Sequence, residues 1–143
     1  MRYVLATDGT ECSLKAATWV AKNLRIGPDS ELFLVYVFPL PPEVETYSHL
    51  VCLPKDASDE RVAQIAQPIM NRTREALGDL EAKVYDVVLV GNPPHDIVET
   101  ATTQKADLII TGTRGLSPRT ELCLGSISNA VAHRALCPVL IVR

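Results

Sequence analysis

The chain has 143 residues, of which 47% are apolar and 22% are charged, and its net charge is −3. A chain of this length forms one typical globular domain, and its acidic balance excludes a protein that binds nucleic acid by bulk electrostatics. It has no apolar run near the ~20 residues of a membrane span, and its four cysteines lack metal-ligand spacing, so we expect one cytoplasmic domain over residues 1–143 without nucleic-acid or membrane partners.

The N-terminal segment predicts a strand, a turn and a helix. Residues 2–7 (RYVLAT) are an apolar run of strand length, and the turn Asp8-Gly9-Thr10 follows them. Residues 11–24 carry apolar side chains at helical spacing, which predicts a helix with one buried face. The predicted buried positions are Leu14, Ala17, Ala21 and Leu24.

The middle of the chain predicts a second strand, a long loop and a second helix. Residues 31–38 (ELFLVYVF) are mostly aliphatic and aromatic, as in a strand that is buried on both faces. Residues 39–58 are rich in proline and lack periodicity, so we expect a loop there. Ser58 is the expected N-cap of a helix over residues 59–77.

The next segment continues the alternation of strands and helices. Residues 83–90 (KVYDVVLV) predict a third strand that ends at Gly91. Asn92 is the expected N-cap of a third helix, whose first turn contains two prolines. Residues 107–112 (DLIITG) predict the fourth strand.

The last helix and strand complete a pattern that indicates the fold class. Residues 126–136 predict a helix, and residues 137–143 (CPVLIVR) predict a closing strand. Apolar strands that alternate with helices indicate a parallel sheet covered on both faces and joined by right-handed crossovers. We therefore expect a Rossmann-like α/β fold, a three-layer sandwich whose five-stranded parallel sheet has the order 3-2-1-4-5.

A glycine-rich segment, GTRGLSPRTELCLGS over residues 112–126, follows the fourth strand. Gly112 and Gly115 allow a ligand to approach the backbone closely, and Gly125 precedes a helix whose first N–H groups favour an anion. The segment lacks the Gly-Lys-Ser/Thr ending of a P-loop. The residues alone therefore leave two interpretations open, a phosphate site or ordinary turn glycines.

Asp8 lies where the first strand ends, at the end of a parallel sheet where ligands of open α/β folds bind. Its carboxylate can accept hydrogen bonds from a ribose hydroxyl or a base, or it can form an Asx turn before the first helix. Both interpretations stay open. The residues indicate neither a nucleophile with its base nor a metal centre, so we predict no catalytic and no metal-ligating residue.

The C-terminal segment GTRGLSPRTELCLGSISNAVAHRALCPVLIVR resembles the signature of the universal stress protein family. Nucleotide-binding members carry G-x2-G-x9-G-(S/T), which this chain matches with Gly112, Gly115, Gly125 and Ser126. The segments VLATDGTECSLKAATWV and GNPPHDIVETATTQKADLIITGTRG also resemble the family. The likeness covers nearly the whole chain and weakens over residues 39–82.

The resemblance implies a pocket for an adenine nucleotide, usually ATP, with or without Mg²⁺. It implies that Asp8 binds the ribose or base side, that the backbone of Val37 meets the adenine, and that the glycine segment holds the phosphates. It also implies a homodimer formed through the last strand, residues 138–142. The implied nucleotide-binding residues are Asp8, Gly9, Thr10, Val37, Gly91, Gly112, Thr113, Arg114, Gly115, Gly125, Ser126, Ile127 and Ser128.

Three functions are compatible with this pattern. The leading hypothesis is a regulatory stress-response protein that binds ATP and signals through its nucleotide-bound state and dimerisation. A slow ATPase or adenylate-transfer enzyme on the same site is the first alternative, and it is disfavoured because no general base or metal cluster is evident. A nucleotide-free interaction domain is the second, and the intact glycine spacing disfavours it.

Overall fold

Strands and helices alternate along the chain in the computed structural model, which describes residues 1–40, 54, 56–113 and 125–143. These residues form five strands and four helices, and their bounds differ from the predicted ones by no more than two residues. The elements are β1 (Arg2–Ala6), α1 (Glu11–Asn23), β2 (Glu31–Pro39), α2 (Glu60–Leu77), β3 (Lys83–Gly91), α3 (Pro93–Thr103), β4 (Leu108–Gly112), α4 (Ser126–Arg134) and β5 (Val139–Val142).

The five strands form one sheet in the order β3-β2-β1-β4-β5, and every neighbouring pair is parallel. Both the predicted order and the predicted Rossmann-like α/β class are confirmed. The chain winds outward from β1 in one direction through β2 and β3, and then in the other direction through β4 and β5. The order therefore reverses between β1 and β4, where open α/β sheets have their binding crevice.

Strand β2 shows how the sheet separates two apolar layers, and it is buried on both faces as predicted. Leu32, Leu34 and Tyr36 belong to one cluster, which includes side chains of α1 and α2. Val35 and Val37 alternate with them and belong to a second cluster, with side chains of α3 and α4. Because successive side chains of a strand point to opposite faces, two helices cover each face, and the layers form a three-layer sandwich.

The buried face of α1 differs from the predicted one. Ala17 is buried as predicted, but together with Ser13, Ala16 and Val20, whereas Leu14, Ala21 and Leu24 are only half-buried. Both sets follow the helical period, so periodicity alone does not distinguish them. Small side chains decide the orientation, because Ala16 and Ala17 let the helix backbone approach the sheet more closely than leucines would.

The predicted cap of α2 is wrong by one position. The N-cap is Asp59, whose carboxylate accepts a hydrogen bond from the Arg61 N–H at 3.0 Å. Ser58 lies in the preceding turn, where its hydroxyl donates to Asp56. Of the helices described, none combines the length and apolar composition needed to span a bilayer.

Candidate functional site

A cleft of about 330 Å³ lies at the carboxyl ends of β1, β2 and β4, above the point where the strand order reverses. Side chains from all four helices complete its walls. The residues that line it are Ala6, Thr7, Asp8, Ser13, Tyr36, Val37, Pro39, Ile65, Ile69, Pro93, Ile97, Thr111, Gly112, Ile127 and Ser128. Apolar side chains predominate, and Asp8 is the only carboxylate among these lining residues.

The turn between β1 and α1 is held by its own side chains. Asp8 Oδ1 accepts hydrogen bonds from the Thr10 N–H at 3.0 Å and from the Thr10 hydroxyl. Thr10 is also the N-cap of α1, because its Oγ1 accepts from the Ser13 N–H at 3.5 Å. Asp8 therefore forms the Asx turn that was one of its two interpretations, but its Oδ2 accepts no hydrogen bond from the described residues and remains available to a ligand.

A buried hydroxyl network beneath this turn fixes it to two helices. Thr7 Oγ1 lies 2.8 Å from Thr73 Oγ1 of α2 and 3.3 Å from Ser13 Oγ of α1. Ser13 Oγ donates to the Thr10 carbonyl at 2.9 Å, and Thr73 Oγ1 donates to the Ile69 carbonyl at 2.8 Å. Each hydroxyl has a partner, so the position of Asp8 is determined before any ligand arrives.

The junction between β4 and α4 is closed by backbone atoms. The Gly125 N–H donates to the Thr113 carbonyl at 2.5 Å, which brings the two ends of the glycine segment together. The buried Ser128 hydroxyl lies 3.0 Å from the carbonyls of both Thr113 and Gly125. Its proton is therefore engaged in closing the segment, which leaves its backbone N–H and its hydroxyl oxygen for other partners.

The N-terminus of α4 differs from those of the other helices in having no side-chain cap. Gly125 occupies the N-cap position, and the first turn contains no acidic residue. The first backbone hydrogen bond runs from the Asn129 N–H to the Gly125 carbonyl at 2.9 Å. The preceding N–H groups of the first turn make no hydrogen bond to the described residues, and with the helix dipole they favour an anion.

Two of the predicted site glycines also have packing roles. A Cβ on Gly112 would lie 2.5 Å from the Cys12 carbonyl oxygen, so only glycine lets α1 begin this close to β4. A Cβ on Gly91 would overlap the carboxylate of Asp96. Gly9 has a φ of +74°, a conformation that glycine adopts without strain.

The structure brings together some of the predicted binding residues and not others. Those that line the cleft are Asp8, Val37, Gly112, Ile127 and Ser128. Those that lie beside these residues in the chain, or at the sheet edge, without lining the cleft are Gly9, Thr10, Gly91, Thr113, Gly125 and Ser126. Arg114 and Gly115 lie outside the described residues, as does most of the predicted loop over residues 39–58.

Sequence analysis missed the apolar wall of the cleft and one polar residue in it. Ile65 and Ile69, one turn apart in α2, resemble an ordinary core stripe in the sequence, yet Ile65 is 47% exposed at the mouth of the cleft. Tyr36 resembles another core residue of β2. Burial raises the pKa of its hydroxyl, and the negative charge of Asp8 raises that pKa further. An exposed isoleucine is visible only in the folded chain.

His95, Asp96 and Glu99 form a group of potential metal ligands at the start of α3. His95 Nδ1 lies 3.0 Å from Asp96 Oδ1 and 3.7 Å from Glu99 Oε2. His95 and Glu99 are exposed, and none of the three residues lines the cleft. The sequence analysis did not connect them. The hydrogen bond between His95 and Asp96, and the spacing of His95 and Glu99 by one helical turn, account for their proximity.

Comparison with known proteins identifies the family. The model of the universal stress protein family matches residues 1–143. The chain belongs to the universal stress protein family. A curated member, universal stress protein MJ0531 of Methanocaldococcus jannaschii, is 32% identical over 99% of this chain and 81% of its own length.

Solved structures agree with this family assignment. The hypothetical protein MJ0577, also from Methanocaldococcus jannaschii, is 26% identical with a TM-score of 0.78, over 99% of this chain and 94% of that one. A universal stress protein solved in complex with cAMP is 26% identical with a TM-score of 0.64, over 100% of this chain and 96% of that one. The resemblance to the universal stress protein family and the α/β fold expected from the alternating strands and helices are therefore both confirmed.

Proposed function

We propose that this universal stress protein binds an adenine nucleotide in the cleft above β1 and β4. The observation that carries the proposal is that the cleft combines two kinds of surface. Its walls are apolar, and the uncapped N-terminus of α4 lies at one end. Such walls suit a purine ring, and an open helix N-terminus suits phosphates. The related universal stress protein in complex with cAMP supports an adenine ligand.

Each end of the cleft has a proposed role. The adenine packs at the β2 side, where Val37 offers its backbone, and Asp8 accepts from the ribose or base through its unpartnered oxygen. The phosphates lie against the glycine segment and the first turn of α4. The proposed phosphate-side residues are Gly112, Thr113, Arg114, Gly115, Gly125, Ser126, Ile127 and Ser128, while Gly9, Thr10 and Gly91 hold the backbone around the site.

We further propose that residues 1–143 act as one regulatory domain whose ligand is ATP, with or without Mg²⁺. Binding rather than catalysis is favoured because Asp8 is the only carboxylate among the described lining residues, and it is already engaged in an Asx turn. Signalling then depends on the nucleotide-bound state and on a homodimer formed through residues 138–142. Sedimentation of the chain with and without ATP tests whether the two are linked.

A nucleotide screen by thermal unfolding tests the binding proposal. At about 100 times its Kd, a ligand that binds only the folded chain stabilises it by about 2.7 kcal/mol. For a domain of this size that corresponds to a rise in Tm of roughly 5–10 °C. We expect this rise with ATP, and a smaller rise with GTP because the backbone of Val37 is proposed to pair with the edge of adenine.

Controls separate the proposed site from nonspecific effects. Asp8→Asn should lose most of the ATP-induced rise, whereas Asp79→Asn, at an exposed position between α2 and β3, should keep it. Absence of any rise with ATP, ADP or AMP, with or without Mg²⁺, contradicts the proposed function. Phosphate released from ATP at a steady rate over hours would instead favour the slow ATPase.

A further inference from the structure

Tyr36 combines a buried side chain with a hydroxyl that has no partner in the part of the chain that the structure describes. Its side chain is 6% exposed and lies on the face of β2 that packs with α1 and α2. It lines the cleft, and its hydroxyl makes no hydrogen bond with the described residues. The ring is therefore held by packing while the hydroxyl is accessible from the cleft, where it can donate to a ligand.

Asp8 provides the complementary group next to Tyr36. Both residues line the cleft at the ends of adjacent strands, and the charge of Asp8 acts on the Tyr36 hydroxyl. A tyrosine hydroxyl is protonated at neutral pH, and burial and this charge raise its pKa further, so that it is a hydrogen-bond donor. Asp8 Oδ2 is an acceptor without a partner among the described residues. The pair therefore presents one donor and one acceptor to the same part of the cleft.

We propose that the Tyr36 hydroxyl and the Asp8 carboxylate together bind a hydroxyl group on the sugar of the nucleotide, an inference that rests on the proposed function. A sugar hydroxyl both donates and accepts, which matches this pair. A phosphate does not match it, because the Asp8 carboxylate repels a second negative charge. Tyr36 and Val37 point to opposite faces of β2, which places the sugar on the α2 side and leaves the Val37 side for the base.

The proposed position of the phosphates agrees with this placement. The uncapped N-terminus of α4 and Gly112 lie beyond β1 from Tyr36, because the strand order in this region is β2-β1-β4. A nucleotide whose phosphates lie at β4 therefore extends its sugar past the end of β1, where Asp8 lies. Tyr36 on β2 is then within the reach of a ribose hydroxyl and not of the phosphates.

Calorimetric titrations of Tyr36→Phe with ATP, 2′-deoxy-ATP and 3′-deoxy-ATP test the inference. Removing one hydrogen bond to the ligand should weaken ATP binding by about two- to tenfold. The loss should vanish with the deoxy analogue that lacks the hydroxyl in question, because that analogue has no bond to lose. Tyr3→Phe is the matched control, since Tyr3 is also 6% exposed but lies at the start of β1, with its hydroxyl 3.3 Å from Met1 Sδ.

The outcomes distinguish this inference from the proposed function. Wild-type protein that binds none of the three nucleotides overturns both. Wild-type protein that binds ATP, with Tyr36→Phe either unaffected or weakened equally for all three ligands, overturns the role of Tyr36 alone.

A spectroscopic measurement on the wild-type chain tests the same inference without requiring that a variant folds. With tyrosine labelled with ¹³C at Cζ, the Tyr36 signal should move when ATP is added, and the Tyr3 signal should not. An unchanged Tyr36 signal at saturating ATP overturns the inference. Tyr36→Phe should also keep the wild-type Tm without ligand, because its hydroxyl bonds to no described residue.

Discussion

The β1–α1 turn and the β4–α4 junction stand side by side at the carboxyl end of the sheet, yet they are completed in opposite ways. At the first, Thr10 caps α1, Asp8 accepts from Thr10, and Glu11 provides a negative charge in the first turn. At the second, Gly125 offers no side chain, and the first turn of α4 has no acid. One helix terminus is satisfied by its own sequence, and the other is left open.

The difference shows how a single cleft can recognise a ligand of mixed polarity. A self-capped turn is rigid and holds a carboxylate in place, which suits neutral hydroxyl or amino groups. An uncapped helix terminus loses part of its own stabilisation but keeps its N–H groups for an anion. Because the two lie on adjacent strands, a ligand with an anionic end and a neutral end can meet both at once.

The largest expected effect comes from changing the contact that joins the two junctions. Gly112→Ala places a Cβ 2.5 Å from the Cys12 carbonyl oxygen and 3.0 Å from the Ser13 nitrogen, both backbone atoms of α1. Backbone cannot move aside as a side chain can, so we expect a loss of about 1–3 kcal/mol in the free energy of unfolding. Urea denaturation measures it.

Gly27→Ala is the control for this substitution. A Cβ at Gly27 would meet no atom within 4 Å, so we expect the variant to unfold within about 0.5 kcal/mol of wild type. Equal stability of the two variants would show that α1 and β4 are not in close contact, and that Gly112 serves the ligand alone.

The next largest effect is expected when a side-chain cap is added at the open N-terminus of α4. Gly125 has φ −59° and ψ 154°, which other residues adopt at an N-cap without strain. Gly125→Asp and Gly125→Asn should each stabilise α4 by a few tenths of a kcal/mol. Gly125→Asp should bind ATP roughly tenfold more weakly than Gly125→Asn, because its charge faces the phosphates. Calorimetry supplies both affinities, and equal values would place the phosphates elsewhere.

A smaller effect is expected when the side-chain cap of α1 is removed. Thr10→Ala removes the hydroxyl that caps α1 and bonds to Asp8, and the expected cost is about 1 kcal/mol in the free energy of unfolding. Thr102→Ala removes an exposed hydroxyl that bonds to the Val98 carbonyl within α3, and should change stability by less than about 0.5 kcal/mol. If Thr10→Ala is no less stable than Thr102→Ala in urea, the hydrogen bonds of the Thr10 hydroxyl do not stabilise the β1–α1 turn.

Local signals in the sequence predicted the elements well and their orientations less well. Asn92 was correctly identified as a cap, and its side chain accepts from the His95 N–H. Ser58 was not, because the neighbouring Asp59 can cap equally well and only the path of the chain selects one of them. In α1 two stripes share the helical period, and the close approach at Gly112 favours the one that contains Ser13 and Ala16.

The candidate site was likewise predictable only in part from the sequence. Asp8 and the glycine motif could be found from their positions after predicted strands, since turns at the ends of parallel strands gather at one edge of the sheet. The apolar wall formed by Ile65 and Ile69 could not, because their spacing is that of any core-facing helix. The role of Tyr36 could not be predicted either, because only the folded chain shows that its hydroxyl has no partner among the described residues.

By itself, the sequence determined the class of fold, because that depends on the alternation of apolar runs, and it indicated the family through its resemblance in the glycine spacing and the flanking segments. The tertiary structure decided which face of each helix is buried, which residues meet in the cleft, and that Gly112 is required for packing as well as for access. Those facts depend on contacts between residues far apart in the chain. Local propensity does not contain them, because a helix or strand can be rotated or shifted without changing its own pattern.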